Sequence, residues 1–132
     1  MLDMFSNVGF YQMAMNGLSA RRDATLQNIA NQNTPNYKRK YTDFETQLKD
    51  ILDGNKKIRM RKTHDVHITN PKTPFEAVIK TDKDSYRFDG NSVDIDVENL
   101  EIWKTYYKYS AATDFVRKEF ERYRSAIQEG GK

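Results

Sequence analysis

The sequence predicts a mainly α-helical fold, with N- and C-terminal helices paired as an elongated coiled coil and a short helix and small β or irregular insert between them. Three observations predict it. Apolar residues recur at alternating spacings of three and four near both ends of the chain, the period of one helix face. The stretch between those ends instead carries Pro71, Pro74, turn residues and short two-residue alternations. The whole chain is also polar: 37% hydrophobic with Tyr counted, 31% charged, and a mean hydropathy of -0.90 over 132 residues. Ordinary globular domains run nearer about 45–50% apolar, so an elongated protein that completes its core against neighbours fits better than one closed core. This reading divides the chain into residues 1–36, 37–96 and 97–132.

The first helix is expected from about Ser6 to Asn33. Val8, Tyr11, Met15, Leu18, Arg22, Thr25 and Ile29 form its stripe, and Asn33-Thr34-Pro35 ends it. Proline has no backbone N–H and pushes the preceding residue out of helical geometry. A short helix follows from Asp43 to about Leu52. Thr42 and Glu45 stand at capping-box spacing, and Gly54 lies where a helix C-terminal glycine belongs. Val66-His67-Ile68 and Ala77-Val78-Ile79 are short strand candidates, Tyr86 and Phe88 alternate with polar residues, and Asp89-Gly90 turns the chain. The last helix is expected from about Val97 to Gln128, with Asp96 as its N-cap. Its stripe is Ile102, Tyr106, Tyr109, Thr113, Val116, Phe120, Tyr123 and Ile127, and Gly130-Gly131 closes it. Lengths of roughly 40 and 50 Å follow for the two long helices at 1.5 Å per residue.

Composition also excludes several functions. The chain has no cysteine, so disulfides, thiol catalysis and thiolate-bound metals are ruled out. The net charge of +3 is too mild to imply nucleic acid by itself. No apolar run approaches the roughly 18–20 residues that span a bilayer. Met1 to Ala20 has an early Asp3 and no basic segment, so a secretory signal peptide is not expected.

The candidate chemical motifs are weak. Lys56-Lys57-Ile58-Arg59-Met60-Arg61-Lys62 could bind an anionic surface, which makes a basic nucleic-acid-binding adaptor the alternative reading. No aromatic residue interleaves to stack a base, so a solvated loop is the simpler account. His64 and His67 would point to opposite faces of a strand, with no third metal ligand evident. Asp94, Asp96 and Glu98 suit a helix start through the macrodipole alone. Trp103, Tyr106, Tyr107 and Tyr109 offer ring area for packing or for contact with another subunit. No nucleophile–base–acid constellation is present, and the chain is not expected to be an enzyme.

One segment is specific. Asn28-Ile29-Ala30-Asn31-Gln32-Asn33-Thr34-Pro35-Asn36-Tyr37 resembles the Asn-Ile-Ala-Asn-x-x-Thr-Pro-Gly-Tyr signature that ends the N-terminal helix of flagellar rod and hook proteins. Asn28, Ile29, Ala30, Asn31, Thr34, Pro35 and Tyr37 carry the match. Asn36 stands where the family usually has Gly, and Asn tolerates the left-handed backbone that such a turn needs. The segments Tyr37-Lys38-Arg39-Lys40, Asp43-Phe44-Glu45, Asp89 to Asp96, Tyr109 to Thr113 and Arg124 to Ile127 are similar to the short, proximal rod members. The resemblance covers about Asn16–Leu48 and Asp89–Ile127, and residues 49–88 are not part of it. Phe44 and Leu48 resemble the short export-gate pattern of early flagellar substrates, and they also lie on one face of a short amphipathic helix.

The resemblance implies a structural subunit of the proximal rod in the bacterial flagellar basal body. Such proteins are made in the cytoplasm and exported by the flagellar type III apparatus without signal cleavage. They assemble helically in the periplasm and transmit torque. The implied partners are further copies of the chain, the other rod proteins FlgC, FlgF and FlgG, FliE, and the export apparatus. No cofactor, small-molecule substrate or nucleic acid is implied. Within this reading Ile102, Tyr106, Tyr109, Val116, Phe120, Tyr123 and Ile127 are the expected helix seam or interface.

Overall fold

The computed structural model describes residues 6–52, 77–85 and 87–130. In chain order these form helix α1 (Ser6–Ala30), strand β1 (Lys40–Thr42), helix α2 (Phe44–Leu52), strand β2 (Ile79–Thr81) and helix α3 (Ile95–Gly130). The basic run Lys56–Lys62, Gly54, His64, His67, the Val66–Ile68 strand candidate and Tyr86 lie outside the described residues.

The two long helices pair antiparallel, and the expected coiled-coil architecture holds. The Tyr11 and Phe115 rings stack with centroids 5.6 Å apart. The Thr113 hydroxyl lies 3.9 Å from the Met15 sulfur. At the other end of the pair, Asn28 reaches Glu98. With α1 about 38 Å long and α3 about 54 Å, α3 extends past the described start of α1.

The seam is not the one expected. On α3 the buried side chains are Glu98, Thr105, Ala112 and Glu119, seven residues apart. Of the expected seam, Ile102, Val116 and Tyr123 are half-buried against it. Tyr106, Tyr109, Phe120 and Ile127 are exposed, at 68, 44, 53 and 76%. Tyr106, Thr113 and Phe120 each follow a buried position by one residue, which is about 100° around a helix. On α1 the expected stripe largely holds: Leu18 and Thr25 are buried and Val8, Tyr11, Met15 and Ile29 half-buried, while Arg22 is exposed and the neighbouring Asn28 is buried. The physical reason is which side chains the pairing selects. On α3 it buries short or hydrogen-bonded residues and leaves Trp103, Tyr106, Tyr107 and Tyr109 outside, while Tyr11 and Phe115 stack across the pair.

Two caps also differ from expectation. The α3 start is capped by Asp94, whose carboxylate accepts the backbone N–H of Asp96 (3.0 Å) and of Val97 (3.4 Å). Asp96 therefore lies inside the first turn. At α2 the carboxylate of Asp43, and not the Thr42 hydroxyl, accepts from Thr46, through its hydroxyl at 2.8 Å and its backbone N–H. Lys80 donates to Asp43 at 3.0 Å, and these hydrogen bonds, Lys80 first, hold the Asp43 carboxyl below its ordinary range. α1 ends at Ala30 and tightens into turns, with Gln32 N–H to Ile29 O at 3.2 Å and Thr34 N–H to Asn31 O at 3.0 Å.

β1 and β2 form a two-stranded antiparallel sheet, with Lys40 opposite Thr81, Tyr41 opposite Lys80 and Thr42 opposite Ile79. The expected strand at Ala77–Ile79 thus begins only at Ile79. Its partner is the segment just after the Thr34-Pro35 turn, which alternation did not mark.

α2 packs on α1 through Phe44, which is 3% exposed. The ring lies directly over Gly17, where a built Cβ would come within 2.4 Å of the Phe44 Cδ2. Gly in a helix interior costs about 0.5–1 kcal/mol relative to Ala, and here it admits the ring. The Arg21 guanidinium also lies over the ring, 4.7 Å from its centroid.

Candidate functional site

The largest fully buried side chains among the described residues are Glu98, Asn28 and Asn91, all polar. They meet where the C-terminal end of α1, the turn after it, β1, residues 87–93 and the start of α3 converge. Burying an amide or carboxylate without partners costs several kcal/mol, so the bonds of these three residues define the junction.

Asn28 uses its whole side-chain amide. Its Nδ2 donates to the Lys40 carbonyl at 2.8 Å and to Glu98 Oε2 at 3.0 Å. Its Oδ1 accepts the Lys40 N–H at 2.9 Å and the Tyr37 hydroxyl at 3.3 Å. The amide therefore pairs with the Lys40 backbone as a neighbouring strand would and docks β1 on α1. The other Glu98 oxygen accepts from Arg39 Nε. Arg39 also stands 4.0 Å from Asp82 just after β2. Burial pushes the Tyr37 phenol above its ordinary pKa, and the nearby Glu98 charge adds to the rise.

Asn91 works on the end of α1. Its Nδ2 lies within hydrogen-bonding distance of the carbonyls of Asn31 (3.0 Å), Gln32 (3.1 Å) and Thr34 (2.8 Å). Its Oδ1 accepts the Val93 N–H at 2.7 Å. A helix leaves its last carbonyls without intrahelical donors, and here a residue from the α3 side supplies one. The chain turns on either side of this point are left-handed, at Asn36 (φ 60°) and Gly90 (φ 76°). The two turns touch: Asn36 N–H bonds Asp89 O at 2.9 Å, and a Cβ on Gly90 would lie 2.4 Å from Asn36 Oδ1. Ser92 N–H to Tyr37 O (3.1 Å), Arg39 N–H to Ser92 Oγ (2.8 Å) and Lys38 Nζ to Gly90 O (3.1 Å) continue the closure.

Half-way along α1, Arg21 binds three elements. It pairs with Glu45 of α2, donates to Thr42 O at 3.1 Å and lies 3.5 Å from Glu101 of α3. Its side chain is only 12% exposed.

Of the residues singled out in the sequence, Asn28 and Tyr37 enter the buried network. Asn31 donates to the Gln27 carbonyl at 2.8 Å and accepts from Thr34 at 3.2 Å. Ile29 is half-buried, and Ala30 and Pro35 are exposed. Phe44 is buried and Leu48 half-buried on the α2 face toward α1. Sequence reasoning missed Arg21, Arg39 and Asn91, and it read Glu98 only as a helix-start acid. A signal existed for Arg21, which precedes Asn28 by one heptad. Arg39 and Asn91 lie in segments that resemble the rod proteins, but nothing in those segments marked the bonds the two side chains make.

Chemically the junction is a lock. Its carboxylate and amides are engaged with one another and do not face a substrate space. An open cleft of about 550 Å³ lies beside it, lined by Arg39, Asp82, Arg87, Val93, Asp94 and Val97 among others. Among the described residues no group of His, Cys, Asp or Glu side chains could hold a metal ion, and no helix is long and apolar enough to cross a membrane.

No protein-family model matches the chain. Individual proteins do. The flagellar basal body rod protein FlgB of Buchnera aphidicola subsp. Acyrthosiphon pisum is 34% identical over 116 residues, covering 85% of this chain and 86% of that protein. The protein of the same name from Bacillus subtilis is 29% identical over 136 residues, covering 99% of this chain and all of its own length. That of Proteus mirabilis strain HI4320 is 28% identical over 142 residues, covering 98% of this chain and again its full length.

Proposed function

The chain belongs to the FlgB family of flagellar basal body rod proteins, and from that membership we propose that it is a non-catalytic structural subunit of the proximal rod. The similarity runs end to end and is drawn from distant bacteria, and this observation carries the reading. The physics of the chain supports it. A helix pair locked at one end by Asn28, Asn91 and Glu98 is a stiff strut, while the rings left outside its seam are surface suited to burial against neighbouring subunits. In this role the subunit is exported by the flagellar type III apparatus, assembles helically in the periplasm with further copies, FliE and the rod proteins FlgC, FlgF and FlgG, and passes torque along the helices.

The export pattern Phe44/Leu48 belongs to the unfolded chain, because Phe44 is buried once α2 packs on α1. Phe44→Ala is expected to lower secretion. Normal secretion of the variant would leave Phe44 with its packing role alone.

The direct test is electron microscopy of basal bodies purified from cells whose only copy of this protein is the chain itself. Density for the α1–α3 pair in the rod is expected. Intact rods lacking that density would overturn the reading.

A further inference from the structure

We propose that the chain carries a head-to-tail docking surface for a second copy of itself: the outward face of the first half of α3, with the cleft beside it, receives the second half of α3 from the next subunit. The inference rests on the rod-subunit reading and adds the contact by which copies meet.

The head is built from Leu100, Trp103 and Tyr107. They recur at spacings of three and four on the side of α3 turned away from Glu98, Thr105 and Ala112, and Trp103 is 71% exposed. The cleft continues this face through Val97, with Val93 and Ile95 as its apolar wall and Asp82 and Asp94 among its acids. Its two arginines are already engaged, Arg39 with Glu98 and Asp82, and Arg87 with Asp89. The tail is built from Phe120 and Ile127, seven residues apart on one face of α3 and both exposed, with Arg117 and Arg124 beside them.

Charge selects the pairing. Residues 94–101 hold no base. Glu98 is buried and Glu101 lies by Arg21, which leaves Asp94 and Asp96 exposed toward solvent. In residues 117–124, Arg117 pairs with Asp114 and Arg122 with Glu119, which leaves Lys118 and Arg124 as the exposed bases outside those pairs. Among the described residues Asp96 and Arg124 have no ion-pair partner, and each lies beside its own apolar patch. One molecule cannot satisfy itself. Trp103 and Phe120 are about 26 Å apart along a single continuous helix. Two different patches that mate between identical chains make a heterologous contact, which propagates unless its rotation closes a ring.

Sedimentation velocity of the full chain tests this, with Trp103→Ala disabling the head and Phe120→Asp disabling the tail. Both residues are exposed, so circular dichroism of each variant should match the wild type. The wild type is expected to form a concentration-dependent series of oligomers that shortens as salt rises. Each variant alone should be monomeric where the wild type associates. An equimolar mixture should form a one-to-one dimer and nothing larger, because one good head and one good tail remain. Arg124→Glu should weaken the series, and Asp96→Lys in the mixed partner should restore the dimer. A mixture that stays monomeric, or variants that associate like the wild type, would overturn the proposal. A wild-type chain that is monomeric at millimolar concentration yet present in the rod would overturn this contact alone and leave the rod reading standing.

Discussion

Asn28 leaves no hydrogen-bonding capacity of its side chain unused. Asn28→Ala removes the partner of the Lys40 N–H and carbonyl and of the Tyr37 hydroxyl, which are part-buried, and of one buried Glu98 oxygen. A buried unsatisfied group costs about 1–3 kcal/mol, and relaxation will restore some partners. We expect a loss of about 2–4 kcal/mol in urea unfolding. A loss below about 0.5 kcal/mol would show that water or rearrangement replaces the amide freely. The paired left-handed turns give a second expectation. Gly90→Ala places a Cβ in the left-handed region, which costs about 1–2 kcal/mol, and drives it into Asn36 Oδ1. Asn36→Gly removes that oxygen, so Gly90→Ala should be less harmful in that background. A double-mutant cycle measures the difference, and strict additivity would deny the contact between the two turns.

At the scale of the elements, the α1–α2 contact turns on one missing methyl. Gly17→Ala gains up to about 1 kcal/mol of helix propensity but overpacks the Phe44 ring, and overpacking typically costs about 1–3 kcal/mol. The net expectation is destabilisation, relieved by Phe44→Leu in the same chain. A Gly17→Ala variant with a higher melting temperature would mean that α2 simply swings aside. The same helix pair carries a pH signature. Partial burial alone would raise the Glu45 carboxyl, but hydrogen bonds from Arg21, from the α2 backbone and from Lys108, with the Arg21 charge, outweigh it and hold it below its usual value. A depressed carboxyl stabilises the fold fully above its unfolded pKa, and that contribution disappears as pH falls through the folded value. Stability should therefore decline as pH falls below the ordinary glutamate range, and Glu45→Gln should flatten that decline. These elements were readable in the sequence to very different degrees. Period and proline placed α1, α2 and α3 within a few residues. The rotated seam was not legible, because a stripe of large apolar residues looks like a core whether it faces a partner helix or the outside. Only Thr105, Ala112 and Glu98, small or already paired, reveal which side closes. In the junction, Asn28 was found through its motif. Arg39 and Asn91 act across separations of 59 and 57–60 residues, which no local pattern encodes.

For the whole molecule, the lock at one end and the overhang of α3 at the other imply a gradient of stability. Antiparallel pairing of Tyr11 with Phe115 puts the start of α1 near residue 120, so residues 121–130 have no described α1 residue opposite. Hydrogen exchange on the monomer should be slowest in residues 21–30 and 95–112 and fastest in 121–130, since local opening follows the density of buried contacts. Assembly should slow exchange in that last segment most. Equal protection along all of α3 in a verified monomer would remove the gradient and with it the picture of a strut fastened at one end.

The register of the small sheet has a further consequence. Thr42 and Ile79 face each other, so everything the chain does between them begins and ends at neighbouring points on the strut. Closing a longer excursion there costs only about 0.6 kcal/mol for each doubling of its length. The position is therefore a socket. A longer loop, or an independently folded module whose ends lie close together, can be plugged in between the strands while α1, α3 and their lock keep their geometry. The outer surface of such a subunit can diversify without renegotiating the helices that hold it in place.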